Sequence, residues 1–435
     1  MPEKPGTEEL KRVMSVPGLA LSVVNCTIGA GIYALPALIG LELGPAAILG
    51  YLLTGIMFAA IVLCYVEVGS RVKTSGGSYA YVEAAFGPFA GFLINWMFLV
   101  GWGIMSDAAI MNIVADSLTI LFPVFLNSGL RALLFFFLIG LMVLINVLDS
   151  KNSIRLLECI TIVKLIPLLA LVLFGISHIE WNNLRIEHLP TLKAVDNSAL
   201  ILFLALAGFE TSLNVSGEIK NPERTVPRGI LFGGILVFVL YILIQSLTQG
   251  VLGAEIGSFR EAPLAEVAGR IGGPVAATCL LLAAALSGLG CVNGDVLATP
   301  RLLYAGAKDG LFPKFLGRIH PRFGTPYLAI ITYSIVIFIF SISGGFKQLA
   351  ILASGALLLI YLAVVLAVLK LRRQIPVAGE KPFTIPGGYV VPVFALLTIG
   401  YALSNLAQKE IISILVFIAI LCPLYWVVKR QRNKP

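Results

Sequence analysis

Ile28-Gly29-Ala30-Gly31-Ile32, inside the first apolar run, and Ala207-Gly208-Phe209-Glu210, midway along the chain, decide how this sequence reads. Glycine costs about 1 kcal/mol in a helix interior. In a bilayer the backbone groups that a break releases find no water, so such a break persists only where it lines a protein-enclosed cavity. Two interrupted helices at corresponding places in two halves of a chain are the best sequence pointer to a midplane site of a secondary transporter.

The rest of the sequence agrees with a membrane setting. It is 58% hydrophobic and only 12% charged, with a mean hydropathy of +0.95, which excludes a water-soluble globule. Windows of about 20 apolar residues predict twelve spans. They fall near 17–40, 45–68, 88–122, 130–148, 156–178, 198–218, 229–253, 274–304, 326–343, 348–370, 389–406 and 410–428. The third and eighth are long enough to tilt or to run beyond the lipid. The expected fold is an all-α integral membrane protein forming a single domain. Two five-span sets, about 17–178 and 198–370, each open on an interrupted helix, and two further helices occupy about 389–428. Polar segments at Ser75–Phe86 and Arg260–Ile271 read as helices outside the lipid, the second on the outer face.

The net charge of +8 is topological. Basic residues cluster in alternate loops: Lys4, Lys11 and Arg12; Arg71 and Lys73; Lys151 and Arg155; Lys220, Arg224 and Arg228. The same side continues with Arg301 to Arg322, Lys370 to Lys381 and Lys429 to Lys434. The positive-inside rule then places both termini in the cytoplasm and removes any need for a nucleic-acid partner. The first apolar run lacks a convincing cleavage site and reads as a retained span. The six cysteines all lie inside predicted spans and read as small core residues.

Enzymatic readings fail early. His178, His188 and His320 are the only histidines, no pair has metal-ligand spacing, and no nucleophile elbow or phosphate loop occurs, so neither a metal nor a cofactor is expected. What remains is a few ionisable groups at membrane depth, each costly and therefore a functional candidate. Lys164, in the fifth span, needs partners such as the carbonyls freed at Gly29 and Gly31; it reads as a proton carrier or as a fixed tie. Glu210 follows the second break and reads as a coupling carboxylate, a substrate ligand or a structural acceptor. Asp295 either lines the same cavity or pairs with Arg301. Glu67, Asp107, Asp116 and Glu158 lie nearer predicted span ends and read as interfacial or vestibule residues. Phe209 is a packing residue or a gate.

Four motifs in order resemble the amino acid-polyamine-organocation permease family, over nearly the whole chain. Ile28-Gly29-Ala30-Gly31-Ile32-Tyr33 is similar to its first-span glycine motif. Ser75-Gly76-Gly77-Ser78-Tyr79 with Ala85-Phe86-Gly87 is similar to the loop before its third span. Gly208-Phe209-Glu210, then Lys220-Asn221-Pro222 and Pro227-Arg228-Gly229, resembles its sixth-span signature. Arg301-Leu302-Leu303-Tyr304, Asp309 to Pro313 and His320-Pro321 to Thr325-Pro326 resemble its eighth-span exit. Val292-Asn293-Gly294 looks most like the L-type amino acid exchangers.

The resemblance implies inverted five-span repeats and sodium-independent transport of amino acids by alternating access, as proton symport or exchange, in the plasma (cell inner) membrane. It also implies that backbone groups at Ile28, Gly29, Ala30 and Gly31 and at Ala207, Gly208 and Phe209 hold the substrate's α-carboxylate and α-amino groups. Lys164 matches the fifth-span lysine that replaces sodium in several members. Leu204 stands where relatives often carry an aromatic gate, and Asp295 where they carry serine, threonine or an aromatic. Neutral L-amino acids are the expected substrates, with cationic amino acids or polyamines as the alternative. A substrate-sensing receptor is the alternative of another class. Amino acid, lipid and, with coupling left open, protons are the partners expected; an accessory subunit leaves no mark in the sequence.

Overall fold

A computed structural model describes residues 12–432, apart from 73, 75, 149, 261, 345, 374–381 and 407. Lys4, Lys11, Lys73, Lys381 and Lys434 of the charge pattern and Ser75 of the loop motif lie outside the described residues.

The described chain is helical throughout, and its only strand-like pairing is an isolated parallel bridge between Met14 and Ile219. The first span is broken as its glycines predict. Helix α1 (Val16–Thr27) ends at Ile28, the chain passes through Gly29 and Ala30 into a 3-10 turn (Gly31–Tyr33), and α2 (Leu35–Leu43) begins with Pro36 in its first turn. A proline there lacks only a hydrogen that a helix start leaves unbonded anyway. Helix α3 (Ala47–Arg71) follows, then α4 (Ser78–Phe86) and α5 (Pro88–Trp96). Helix α4 starts three residues later than expected, because Gly76 and Gly77 take φ of 116° and 48° and hold the chain out of the helical region.

From α5 the third span continues through a π-helical stretch (Met97–Ile104) into α6 (Met105–Leu121), and α7 (Ser128–Leu148) and α8 (Ser150–Gly175) complete the first half. The sixth span repeats the interruption. Helix α9 (Leu192–Leu206), capped by the Thr191 hydroxyl, stops at Ala207. Gly208 adopts φ 112°, and a 3-10 turn (Phe209–Leu213) carries the chain on. Helices α10 (Pro222–Leu252), α11 (Pro263–Ala298), α12 (Pro300–Lys308), α13 (Tyr327–Ser343), α14 (Phe346–Leu371), α15 (Val390–Ser404) and α16 (Gln408–Arg432) follow. The expected outer helix Arg260–Ile271 is the start of α11, which bends at Gly273 (φ 74°) immediately before Pro274. A glycine outside the helical region followed by a proline is a sufficient cause for the kink.

Among the described residues, nine helices are long and apolar enough to cross a membrane, and Val16–Thr27, Tyr327–Ser343 and Val390–Ser404 are shorter apolar helices. Large apolar side chains face outward on α7, α8, α10 and α16, including Phe136, Phe137, Leu173, Phe232, Leu415 and Trp426. Their exposure suits lipid and would be a liability in water. The chain is a multi-pass membrane protein. Cys159 and Cys279 lie on this outer surface, so the reading of all six cysteines as core residues is corrected. In the interior, α1 packs mainly on α10 and α10 on α3, while α6 packs on α11, α13 and α14, and α11 also on α8. The two interrupted spans meet between these groups.

Candidate functional site

Gly208 brings the breaks into contact. A Cβ at that position would lie 2.4 Å from the Cys26 carbonyl oxygen, so only glycine permits both the approach and the positive φ. The Ser22 hydroxyl reaches that of Ser212 at 3.0 Å, and the Tyr241 hydroxyl lies between the Thr27 and Ala205 carbonyls at 3.2 and 3.1 Å.

Every carbonyl from Asn25 to Gly29 finds a side-chain donor. The Lys164 ammonium donates to Asn25 O at 2.8 Å and to Ile28 O at 2.6 Å. Cys291 donates to Cys26 O at 3.2 Å, Tyr241 reaches Thr27 O, and the Ser287 hydroxyl lies 3.1 and 3.0 Å from Ile28 O and Gly29 O. Asn25 returns an amide bond to Gly290 O at 2.6 Å. Backbone freed in an apolar interior has to be satisfied in this way, since each orphan costs about 1–3 kcal/mol. Lys164 is fully buried, and the carbonyls it meets are those of Asn25 and Ile28, ahead of Gly29 and Gly31.

Glu210 behaves as a structural acceptor here. The Gly208 N–H lies 3.1 Å from each of its carboxylate oxygens, and Tyr361 donates at 3.0 Å. The Gly208 amide is thereby occupied. Phe209 is buried edge-to-face against Phe58 and Tyr65 at ring separations of 5.7 and 5.1 Å, the arrangement of a packing residue. Ala30 and Ala207 are buried, whereas Gly31 is exposed and a Cβ there would meet no atom within 4 Å, which marks open space beside the first break. A separate apolar cavity of about 340 Å³ lies between α1, α3 and α10 and reaches Thr27 and Phe209.

Asp295 does not pair with Arg301. That guanidinium is buried against Glu218 at 2.9 Å and donates to the Leu297 carbonyl. Asp295 is itself buried, and its Oδ1 finds no hydrogen-bond partner among the described residues. Asp107, expected at an interface, is completely buried, with Tyr333 donating to its Oδ2 at 2.8 Å. Its position in the middle of the predicted 88–122 span was the signal available. Asp116 is exposed and paired with Arg131 at 2.7 Å, as an interfacial residue should be. Glu67 is buried at the end of α3, held by Arg372 at 2.6 and 2.7 Å, Arg71 at 3.1 Å and the Ile385 N–H at 3.0 Å.

Below the breaks, contacts cross the end of the bundle rich in Lys and Arg. Val13 and Met14 donate to Glu218 O at 2.8 and 2.9 Å, and Lys220 N–H returns to Met14 O at 2.9 Å. Glu218 carries the Arg301 pair. Tyr79 of α4 donates to Asp309 at 2.5 Å; burial and that carboxylate raise its phenol above the ordinary range, so it remains a neutral donor.

The sequence profile described as "Amino acid permease" matches residues 14–432. The serine/threonine exchanger SteT of Bacillus subtilis is 27% identical over 427 residues, covering 94% of this chain and 95% of that protein. The branched-chain amino acid permease BcaP of the same organism is 24% identical over 444 residues, covering 99% and 95%. The vacuolar cationic amino acid transporter 4 of Arabidopsis thaliana is 25% identical over 391 residues, covering 85% of this chain and 65% of that protein. Relatives of this kind are transporters and not enzymes. With a profile spanning almost its whole length and the interrupted helices in place, the chain belongs to the amino acid permease family.

Proposed function

We propose that this protein is a sodium-independent secondary transporter that moves neutral L-amino acids across the plasma membrane by alternating access. The observation that carries the reading is the Lys164 ammonium on the Asn25 and Ile28 carbonyls, an internal cation at the place where an interrupted helix would otherwise coordinate an ion. The proposed architecture is twelve spans, with inverted five-span repeats over about 17–178 and 198–370, two further helices at about 389–428, and both termini cytoplasmic. Substrate would lie in the open space beside Gly31, its charged ends on backbone groups of Ile28 to Gly31 and Ala207 to Phe209. Small residues at Ala30, Ala205 and Ala207 leave an apolar side-chain pocket. Use of the Gly208 amide requires Glu210 to swing aside, which makes Glu210 a substrate-sensing latch on the second break.

Counterflow of a radiolabelled mixture of protein amino acids in reconstituted vesicles tests the reading. Exchange is expected, at a rate unchanged when choline replaces external sodium. Sodium-dependent exchange would refute the role given to Lys164, and no exchange by demonstrably folded protein would favour a substrate-sensing receptor.

One observation favours the second reading, a cationic amino acid or polyamine as substrate. Asp107 is buried, as are Asp295 and Glu210, whereas Lys164 is the only buried lysine among the described residues. Unpaired carboxylates in an apolar cavity are costly and would welcome a positive side chain. In the same preparation, exchange restricted to arginine, lysine or putrescine would establish this reading over the neutral one.

A further inference from the structure

The end of α14 reads Lys370-Leu371-Arg372-Arg373, and its three cations have different fates. Arg372 turns toward α3, where its guanidinium holds Glu67 at 2.6 and 2.7 Å, and it donates to Gly388 O at 2.7 Å. Lys370 and Arg373 face elsewhere. Leu366, Leu369, Lys370 and Arg373 recur at helical spacing and so share one face of α14, whose turn is carried on by the Arg373 N–H on Lys370 O at 3.2 Å. Together with Phe86, at the end of α4, which packs on α14, they line an open cleft of about 450 Å³. The Lys370 ammonium stands 4.9 Å from the centre of the Phe86 ring, a contact that orients the charge without neutralising it. Among the described residues, neither Lys370 nor Arg373 forms an ion pair.

Charge and position decide the occupant. Both cations are exposed, as are Phe86 (42%) and Leu366 (39%), and they stand at the end of Ala353–Leu371, a stretch long and apolar enough to cross a membrane. The cleft is therefore cationic at the level of lipid headgroups and apolar along the helix that runs back into the hydrocarbon. A soluble anion would leave the apolar wall uncovered, and a neutral lipid would leave the two charges unpaired. We propose that this cleft binds an anionic phospholipid of the surrounding bilayer, with its phosphate on Lys370 and Arg373 and an acyl chain along Phe86 and Leu366. The arginine offers paired N–H donors to phosphate oxygens and the lysine a point charge. Arg372, between them in sequence, fastens the same helix end to Glu67, so a bound headgroup grips the end of α14 that is tied to α3. Lipid capture here does not depend on which substrate the protein moves.

Native mass spectrometry of the full chain in mild detergent, titrated with phosphatidylglycerol or with phosphatidylcholine of the same acyl chains, tests the proposal. Wild type should retain phosphatidylglycerol in preference to phosphatidylcholine. Lys370→Gln/Arg373→Gln should lose about 30-fold of that preference, each cation near an anionic lipid being worth about fivefold. The charge-conserving Lys370→Arg/Arg373→Lys should keep it. So should Lys314→Gln/Arg318→Gln, which removes two exposed positive charges elsewhere at the basic end. Phe86→Ser should weaken retention of both lipids alike, and glycerol phosphate, a headgroup without chains, should displace neither. All the altered side chains are exposed, so the variants should unfold at the wild-type temperature in detergent alone. Equal retention of the two lipids by wild type, an undiminished preference in Lys370→Gln/Arg373→Gln, or an equal loss in Lys314→Gln/Arg318→Gln would overturn the proposal. Displacement by glycerol phosphate would make the cleft a soluble-anion site and would overturn the lipid as its occupant.

Discussion

At Gly208 the backbone holds φ 112° and ψ −23° while a neighbouring carbonyl occupies the space of a side chain. At Gly31 neither constraint operates, and a Cβ would enter empty space. The two break glycines are therefore expected to answer substitution differently. Gly208→Ala places an L-residue in left-handed backbone, which alone costs about 1–3 kcal/mol, and drives its Cβ against a backbone oxygen that cannot rotate away. Gly31→Val should leave the fold nearly as stable as wild type yet fill the volume a substrate backbone needs. Thermal unfolding of the purified proteins, followed by counterflow, checks both halves. Gly208→Ala should melt several degrees lower than wild type; Gly31→Val should melt close to wild type and be inactive. An active Gly31→Val would remove the space beside the first break from the substrate path.

Among elements, α12 has its position fixed by one buried ion pair, between Arg301 and Glu218 on the segment that leaves the second break. Replacing Arg301 by methionine strands a buried carboxylate and should cost about 3–5 kcal/mol; replacing both partners by methionine should recover much of that loss. A double-mutant cycle on thermal stability measures the coupling, and simple additivity of the two single losses would show that the pair does not hold α12. This contact also marks where sequence reading stops. The helices, both interruptions and the burial of Lys164 were legible, because apolar periodicity, glycine and an intramembrane charge each act within one segment. The choice of Glu218 over Asp295 as the partner of Arg301 was not, since it depends on how two segments 83 residues apart pack. Asp107 was misplaced for a related reason. Hydropathy gives its depth in the third span, but only the packing of α6 on α13 brings Tyr333 to it.

For the whole molecule, the alternating access proposed above would require the contacts that cross the basic end to part. The N-terminal segment is tied there by a parallel bridge between Met14 and Ile219, by the Val13 and Met14 amides on Glu218 O, and by Lys220 on Met14 O. These bonds cross from the start of α1 to the segment between the second break and α10, so they cannot survive an opening that moves the chain ahead of the first break away from that segment. Neighbouring strands lie about 4.7–4.9 Å apart, inside the range of Cα separations a disulfide accepts. A Met14→Cys/Ile219→Cys double variant should therefore cross-link under mild oxidation in this arrangement. Counterflow should then stop and return on reduction, while each single variant remains active under both conditions. Full counterflow by protein shown to be cross-linked would mean that the basic end stays shut throughout transport, and alternating access through it would have to be abandoned.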